Sequence, residues 1–355
     1  MAEKHKQIVI AGYYGYGNTG DEAILSAILE SFLPEKTPPK ICVLSGNPEE
    51  TKNFHRTDSV HWGNIKEIID CITNCDAIII GGGGIFHDYW GVNSSTILTS
   101  KHIGLGFYMS IAMIAELLNK PIILYSVGVG PLLTRTGKDI ARRIFDQAAL
   151  IFVRDDFSMK EAIKLGCEKG RFNVSVDPIF GQANSGADNG CNLSSYLLQR
   201  DLEITNLTGP YLGVVVRNWN YDVNQENWEA EVAGAIDKFN DIYGGTIIFI
   251  PFQESQEELL NDRELSERII AKLNSKGTAF VIEEKSFRKK ISYLNCCDLV
   301  LGMRYHSVLF SINNLIPVVG LVYDPKVDSI FKRLGLQNYS VDIKTVDKLS
   351  LFNIL

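Results

Sequence analysis

The sequence predicts an α/β protein with two doubly wound parallel-sheet domains that face each other across a cleft. Short apolar runs alternate with helical patterns along most of the chain, which is typical of a parallel sheet covered by helices on both faces. The alternation stops in a segment rich in Gly, Asn, Ser and Asp, residues 181–190, and then starts again. The length of 355 residues also suits two domains.

Six apolar runs in the first half of the chain predict strands, at 7–11, 40–44, 77–80, 121–127, 150–153 and 173–176. Helices are predicted where apolar residues recur every three or four positions, as at Ala23, Ile24, Ala27 and Ile28. The helical patterns cover 21–32, 64–75, 100–118, 138–148 and 156–165.

The second half repeats this organisation. Strands are predicted at 211–216, 246–250, 279–282, 299–302 and 318–322, and helices at 228–239, 255–273, 287–295, 306–313 and 326–334. We therefore predict a first domain over 1–182, a linker over 183–205 and a second domain over 206–355.

Composition and charge narrow the class of protein. Apolar residues make up 45% of the chain and charged residues 22%, a balance that excludes a disordered or fibrous chain. The net charge of −7 argues against a nucleic-acid partner, because such proteins carry a basic surplus. The longest apolar stretch, about 103–115, is shorter than the ~20 residues of a bilayer span, so we expect a cytoplasmic protein. No Cys-x-x-Cys pair occurs, and we predict neither a metal site nor a cofactor.

A glycine-rich loop follows the first predicted strand. Residues 15–20 match the G-x-G-x-x-G pattern of dinucleotide sites, but the second strand ends in 44–47, Leu-Ser-Gly-Asn, without the acidic residue that would bind a ribose. We therefore do not predict NAD binding. Backbone N–H groups near Gly17, with the side chains of Asn18 and Asp21, are suited to an anion or a sugar. A tight turn with a helix cap is the structural alternative.

A second glycine run, which ends at Gly84, follows the third predicted strand. Four consecutive glycines favour close approach of a ligand to the backbone, and His87 and Asp88 would then reach that ligand. The alternative is a backbone crossing beside a solvated His–Asp pair. Arg154, two strands further on, could bind an anion, but we interpret it as a structural ion-pair partner of Asp155 or Asp177.

In the second half, cationic and polar side chains follow the predicted strands. These are Arg217, Gln253, Arg304, His306 and Lys326. The carboxyl ends of parallel strands meet at one sheet edge, where ligands bind. Arginine forks match phosphate and carboxylate groups, and a histidine can move a proton near neutral pH. This pattern predicts a site for a small dianion. For any one of these residues taken alone, a helix cap or a salt bridge is the structural alternative.

These segments, taken together, resemble the polysaccharide pyruvyl transferase family, and most closely its branch that acts on cell-wall polysaccharide precursors. The matching segments are 12–25, the glycine run 81–84 with Asp88, 126–131, 154–155, 176–178, Arg217 and 303–306. The resemblance extends from residue 8 to about 326, and its most specific parts are the opening Gly-Asn-x-Gly-Asp segment and the Arg-x-His segment.

The resemblance implies a glycosyltransferase-B-like fold of two Rossmann-like domains. It implies that phosphoenolpyruvate donates a pyruvyl group, which forms a cyclic ketal on two sugar hydroxyls as phosphate is released. Arg217 and Arg304 would hold the donor, and His306 would be the general acid. Asp21, or alternatively Asp88, is our hypothesis for the base. The N-terminal glycine loops would hold the acceptor, and a lipid-linked acceptor would bring the protein to the inner face of the membrane.

Two other classes of function stay open on the sequence. One is a glycosyltransferase or epimerase of the same fold that uses a nucleotide sugar. The other is a sugar- or anion-binding module without catalytic activity. Binding of a nucleotide sugar in the second domain would favour the first, and donor binding without turnover would favour the second.

Overall fold

The computed structural model describes residues 6–181, 193, 196, 209–221, 223–255, 261–274 and 278–355. The chain divides into two compact units. One contains Met1–Tyr16 and Asp21–Gln182, and the other contains Gly17–Gly20 and Ala183–Leu355. The predicted linker over 183–205 lies outside the described residues, apart from Leu193 and Tyr196.

The first unit is built on a single parallel sheet. Its strands are β1 (Gln7–Ala11), β2 (Lys40–Ser45), β3 (Asp58–His61), β4 (Ala77–Gly81), β5 (Ile122–Val127), β6 (Leu150–Val153) and β7 (Phe172–Val174). Their order is β3-β2-β1-β4-β5-β6-β7, with every pair parallel. The order reverses direction between β1 and β4, as in doubly wound sheets.

Helices connect these strands. They are α1 (Thr19–Glu30), α2 (Pro48–His55), α3 (Ile65–Asn74), α4 (Leu105–Leu117), α5 (Arg135–Gln147) and α6 (Asp156–Lys164). The sequence of α4 is apolar on all sides, and most of the helix is buried, as expected for a central helix. By contrast, α5 buries only one face, which includes Ile140, Ile144 and Phe145.

The second unit repeats the arrangement with β8 (Tyr211–Val215), β9 (Thr246–Phe249), β10 (Ala279–Val281), β11 (Leu299–Gly302), β12 (Val318–Val322) and β13 (Ser340–Asp342). The strand order is β10-β9-β8-β11-β12-β13, again all parallel. The helices are α7 (Gln225–Tyr243), α8 (Asp262–Lys272), α9 (Phe287–Leu294), α10 (Tyr305–Asn313), α11 (Pro325–Arg333) and α12 (Lys348–Ile354). The prediction of two doubly wound parallel-sheet α/β domains is thus confirmed.

The structure contains elements that the sequence patterns did not predict. The strand β3 has only one buried residue, Ser59, and α2 buries only Thr51, so neither carries the apolar periodicity from which elements are predicted. The helix predicted from residue 100 begins at Leu105, because Gly104 adopts a φ of 50° before it. Among the described residues, no helix has the length and apolar composition to span a bilayer.

Candidate active site at the strand ends

Four neighbouring strands of the second unit deliver the predicted polar residues to one edge of the sheet. β9, β8, β11 and β12 are adjacent and parallel. The predicted residues that follow them are Gln253, Arg217, Arg304 and Lys326, respectively. The predicted convergence of strand ends is therefore confirmed for the second unit.

The guanidinium of Arg304 is held by a carboxylate. Its Nε and Nη2 donate to the two oxygens of Asp262, at 3.0 and 2.5 Å, and its Nη1 donates to Oε1 of Gln253 at 3.0 Å. Asp262 is fully buried and Arg304 is 6% exposed. Asp262 also accepts hydrogen bonds from the backbone N–H groups of Phe252 and Gln253, at 3.1 and 2.9 Å. The guanidinium of Arg304 is therefore bonded to other protein groups, and these bonds fix the loop after β9.

The segment Gly17–Gly20 groups with the second unit through this same loop. The backbone N–H of Thr19 donates to the carbonyl of Phe252 at 2.8 Å, and the amide of Asn18 donates to Oε1 of Gln253 at 3.4 Å. Asn18 also accepts from the N–H of Gly20 at 3.0 Å. Gly17, with a φ of 65°, lies next to the carbonyl of Glu254. The structure thus brings Gly17, Asn18, Gln253 and Arg304 together.

His306 lies in the first turn of α10, after the N-cap position held by Arg304. Its side chain is mostly buried, at 9% exposure, and its ring packs edge-on against Tyr305 with centroids 5.2 Å apart. Gly20 lies directly against the imidazole: a methyl group at that position would be 2.0 Å from Nδ1 of His306. The glycine at the start of α1 is therefore required by the histidine.

Among the residues that the structure describes, Arg217 contacts aromatic side chains and forms no ion pair with a carboxylate. Its Nη1 donates to the hydroxyl of Tyr323 at 3.1 Å, and its guanidinium carbon lies 5.2 and 5.0 Å from the ring centroids of Trp219 and Tyr323. Its Nε is buried without a hydrogen-bond partner among the described residues. Burial lowers the pKa of Arg217, but Tyr323 and nearby carboxylates outweigh it and raise the pKa overall, so the group stays cationic.

Lys326 completes the cationic cluster. Its ammonium lies 3.4 Å from Oδ2 of Asp324 and 5.7 Å from the ring centroid of Tyr323. Asp324 is the N-cap of α11 and also accepts from the backbone N–H of Lys326. The short loop after β12 thus directs one ammonium toward the same tyrosine that Arg217 contacts.

The predicted residues of the first unit lie around its glycine run. Asp21, in the first turn of α1, is 9% exposed. A methyl group at Gly83 would lie 2.7 Å from one of its carboxylate oxygens, so the glycine run admits this carboxylate. Tyr14 donates to the carbonyl of Gly81 at 2.7 Å, and burial, reinforced by Asp21, raises its pKa. Gly84, at the end of the run, is half-buried.

A buried pair fixes the first glycine loop. Glu22 accepts from the backbone N–H of Gly15 at 2.7 Å and lies 2.8 Å from Nε2 of His55. Gly15 has a φ of 76°, which favours glycine. The helix α2, which was not predicted, therefore supplies a positioning contact to this loop.

The carboxylate of Asp88 is engaged by the backbone. It accepts from the N–H groups of Leu133 and Thr134, at 2.5 and 2.8 Å, and from the hydroxyl of Thr134. Asp88 is 3% exposed, and these bonds define a structural role at the start of α5; substrate binding by Asp88 stays a prediction. Arg154 pairs with Asp155 and Asp177 at 3.2 and 3.8 Å, which confirms the structural interpretation of this arginine.

Asp262, Tyr323 and Trp219 were not predicted from the sequence as site residues. Asp262 lies in a helix 42 positions before Arg304, and no local signal joins the two. The aromatic pair had a signal, because both residues come shortly after strands whose ends carry predicted site residues. Among the described residues, no cluster of His, Cys, Asp and Glu could hold a metal ion.

A doubly wound fold with cationic side chains at its strand ends defines a class of proteins that bind small anionic or sugar substrates there. The model of the polysaccharide pyruvyl transferase family matches residues 18–325. The chain therefore belongs to this family, as its motifs predicted, and its class is that of a transferase of polysaccharide biosynthesis.

The individual proteins that resemble this chain have low sequence identity to it. The amylovoran biosynthesis protein AmsJ of Erwinia amylovora is 21% identical over 388 aligned positions, which cover 96% of this chain and 89% of that protein. Among solved structures, the UDP-GlcNAc 2-epimerase of Methanocaldococcus jannaschii is 12% identical with a TM-score of 0.63, over 98% of this chain and 91% of that chain. Anabaena Alr3699/HepE in complex with UDP and glucose is 12% identical with a TM-score of 0.64, over 99% of this chain and 89% of that chain. At these identities the structural similarity concerns the fold alone.

Proposed function

We propose that the protein transfers the pyruvyl group of phosphoenolpyruvate to two hydroxyls of one sugar in a polysaccharide or its lipid-linked precursor. The product is a cyclic ketal, and phosphate is released. The observation that carries this proposal is the cationic cluster of Arg217 and Lys326 at the strand ends, with His306 in the first turn of α10, which follows the intervening strand β11. Family membership supports a pyruvyl donor and a polysaccharide acceptor in general terms.

Arg217 is the stronger of the two arginines as a donor ligand. Its guanidinium contacts one hydroxyl and two aromatic rings, so N–H groups remain for a phosphate or carboxylate, and Lys326 adds a second positive charge. Arg304 acts differently, because Asp262 and Gln253 already engage its fork. We therefore assign Arg304 to positioning the loop after β9 and the segment Gly17–Gly20.

His306 is the proposed general acid. Ketal formation begins with protonation of the methylene carbon of the donor, which leaves an electron-poor carbon for a sugar hydroxyl to attack. An imidazole at the start of a helix, beside cations that orient a dianion, is suited to deliver this proton. Asp21 stays our proposal for a base on the acceptor side, where the glycine loops would bind the sugar.

A phosphate-release assay with phosphoenolpyruvate and candidate acceptors tests the proposal, with the ketal detected by mass spectrometry. We expect His306→Ala to lower the rate by at least about 100-fold, whereas His61→Ala, which alters an exposed histidine, should leave it unchanged. Lipid-linked and nucleotide-linked sugars should be compared as acceptors. Assays with and without lipid vesicles would test whether the protein acts at the inner face of the membrane.

Two results would contradict the proposal. One is tight binding of a uridine diphosphate sugar with no binding of phosphoenolpyruvate, which would favour an epimerase or glycosyltransferase. The other is donor binding without phosphate release with any acceptor tested, which would favour a binding module.

A further inference from the structure

Tyr323 occupies an unusual place in the candidate site. It follows β12 directly, and only 9% of its surface is exposed. Its ring is fixed edge-on against Trp219, with centroids 4.6 Å apart. Its hydroxyl accepts a hydrogen bond from Nη1 of Arg217 at 3.1 Å. The phenol therefore has one defined orientation at the sheet edge that carries His306.

The charged groups around Tyr323 favour its phenolate form. Burial by itself raises the pKa of this phenol, but Arg217 and Lys326, together with a smaller contribution of Arg304, outweigh burial and the carboxylate of Asp324. The net pKa is lowered from the ordinary value of 10. A cationic hydrogen-bond donor on the oxygen stabilises the anion that forms when this group loses its proton.

We propose that Tyr323 is a catalytic residue that accepts the proton of an attacking sugar hydroxyl. This inference rests on the proposed pyruvyl transfer and deepens it, because that reaction needs an acid for the methylene carbon and a separate acceptor for hydroxyl protons. Asp88 is engaged by the backbone, as described above, whereas Tyr323 lies beside the proposed donor ligands.

The proton balance of the reaction gives Tyr323 a complete cycle. Two hydroxyl protons are lost as two C–O bonds form at the ketal carbon. One of these protons passes to Asp21, the base proposed on the acceptor side, and through solvent it replaces the proton that His306 adds to the methylene carbon. The other passes to the oxygen of Tyr323, as the sugar O–H bond breaks, and then to the phosphate that leaves with the electron pair of its C–O bond. No oxidant, reductant or metal is consumed.

The replacement Tyr323→Phe keeps the ring that packs on Trp219 and Arg217 but removes the proton acceptor. We expect kcat to fall by about 10²–10⁴-fold, with the dissociation constant for phosphoenolpyruvate and the melting temperature close to those of the wild type. Tyr339→Phe removes a hydroxyl from a tyrosine of the second unit that is 53% exposed, and it should have no effect on kcat.

The pH profile separates catalysis from mere positioning of Arg217. Because the phenolate is the active form, the wild-type kcat should rise with pH toward the lowered pKa of Tyr323. This rising limb should vanish in Tyr323→Phe and move to lower pH when 3-fluorotyrosine, a more acidic phenol, is incorporated at position 323.

The outcomes distinguish failure of this inference from failure of the proposed function. If the wild type makes ketal while Tyr323→Phe raises only the KM for phosphoenolpyruvate, or keeps the rising limb, Tyr323 is not the proton acceptor. A wild type whose kcat shows no rising limb would also overturn the inference. If the wild type makes no ketal with any acceptor, the proposed function itself is overturned and the inference with it.

Discussion

At the scale of single residues, the partner of a side chain decides what its chemistry can do. Arg217 and Arg304 both follow strands, and the family resemblance predicts that both hold the donor. Arg304 is neutralised by a fully buried carboxylate at 2.5 Å, whereas Arg217 contacts a hydroxyl and two rings. Both arginines thus occupy similar places after a strand, but only Arg217 keeps N–H groups that can donate to a bound anion.

The pair Asp262–Arg304 should be important for stability. We expect Asp262→Ala to lower the free energy of unfolding by about 3–5 kcal/mol, because it leaves a buried guanidinium without its counter-charge. The double variant Asp262→Ala/Arg304→Met should lose less than the single variant, since no uncompensated charge remains. Urea unfolding monitored by fluorescence measures both values.

A surface ion pair provides the control for this experiment. Asp328 lies 2.7 Å from Lys332 on α11, and both side chains are substantially exposed. Asp328→Ala should cost less than about 1 kcal/mol. An Asp262→Ala variant that is no less stable than Asp328→Ala would contradict the role assigned to the buried pair.

At the scale of elements, most strands could be predicted well because they are short apolar runs that are largely buried, as β4, β8 and β9 are. β1, β6, β11 and β12 have the predicted bounds, whereas β13 and α12, like β3 and α2, were not predicted. These short peripheral elements are stabilised by packing against the rest of their unit, and their own sequences carry little periodicity. The consequence for the site was that His55, on α2, was not recognised as a partner of Glu22.

At the start of α1, the sequence motif predicted glycines but not the reason for the last of them, Gly20. The G-x-G-x-x-G pattern predicted backbone groups exposed to a ligand, and the polar character of the loop is consistent with that. However, the last glycine of the pattern has a more specific reason, which is the imidazole of His306 at 2.0 Å from any added methyl group. A contact between residues 20 and 306 cannot be predicted from one sequence.

The replacement Gly20→Ala should therefore act on catalysis through the histidine. The added methyl group must displace the ring or the helix start, and a misplacement of about 1 Å can lower the rate about 100-fold. We expect this fall in kcat with circular dichroism unchanged. Gly170→Ala is the matched control, because no atom lies within 4 Å of its added methyl group; equal rates for the two variants would contradict the inferred contact.

At the scale of the whole molecule, the division of the chain into units does not follow the chain order. Gly17–Gly20 groups with the second unit, although both flanking segments belong to the first. The family motif around Asn18 and the loop after β9 thus form one hydrogen-bonded group, despite the 235 positions that separate Asn18 from Gln253. The boundary predicted near residue 182 could not show that Gly17–Gly20 groups with the second unit. A boundary placed at a linker assigns every residue before it to the first domain.

Hydrogen exchange can test this assignment in the intact protein. Gln253→Ala removes the acceptor for Asn18 and for Nη1 of Arg304, so the amide of Thr19, which donates to the adjacent carbonyl of Phe252, should exchange about fivefold faster. That factor corresponds to a net hydrogen-bond contribution of about 1 kcal/mol. Amides of β1 should keep their wild-type rates, and Gln337→Ala, at an exposed position of the second unit, should change neither region. If exchange at Thr19 is as slow in Gln253→Ala as in the wild type, the segment Gly17–Gly20 is held by contacts other than the loop after β9, and its grouping with the second unit would not depend on Gln253.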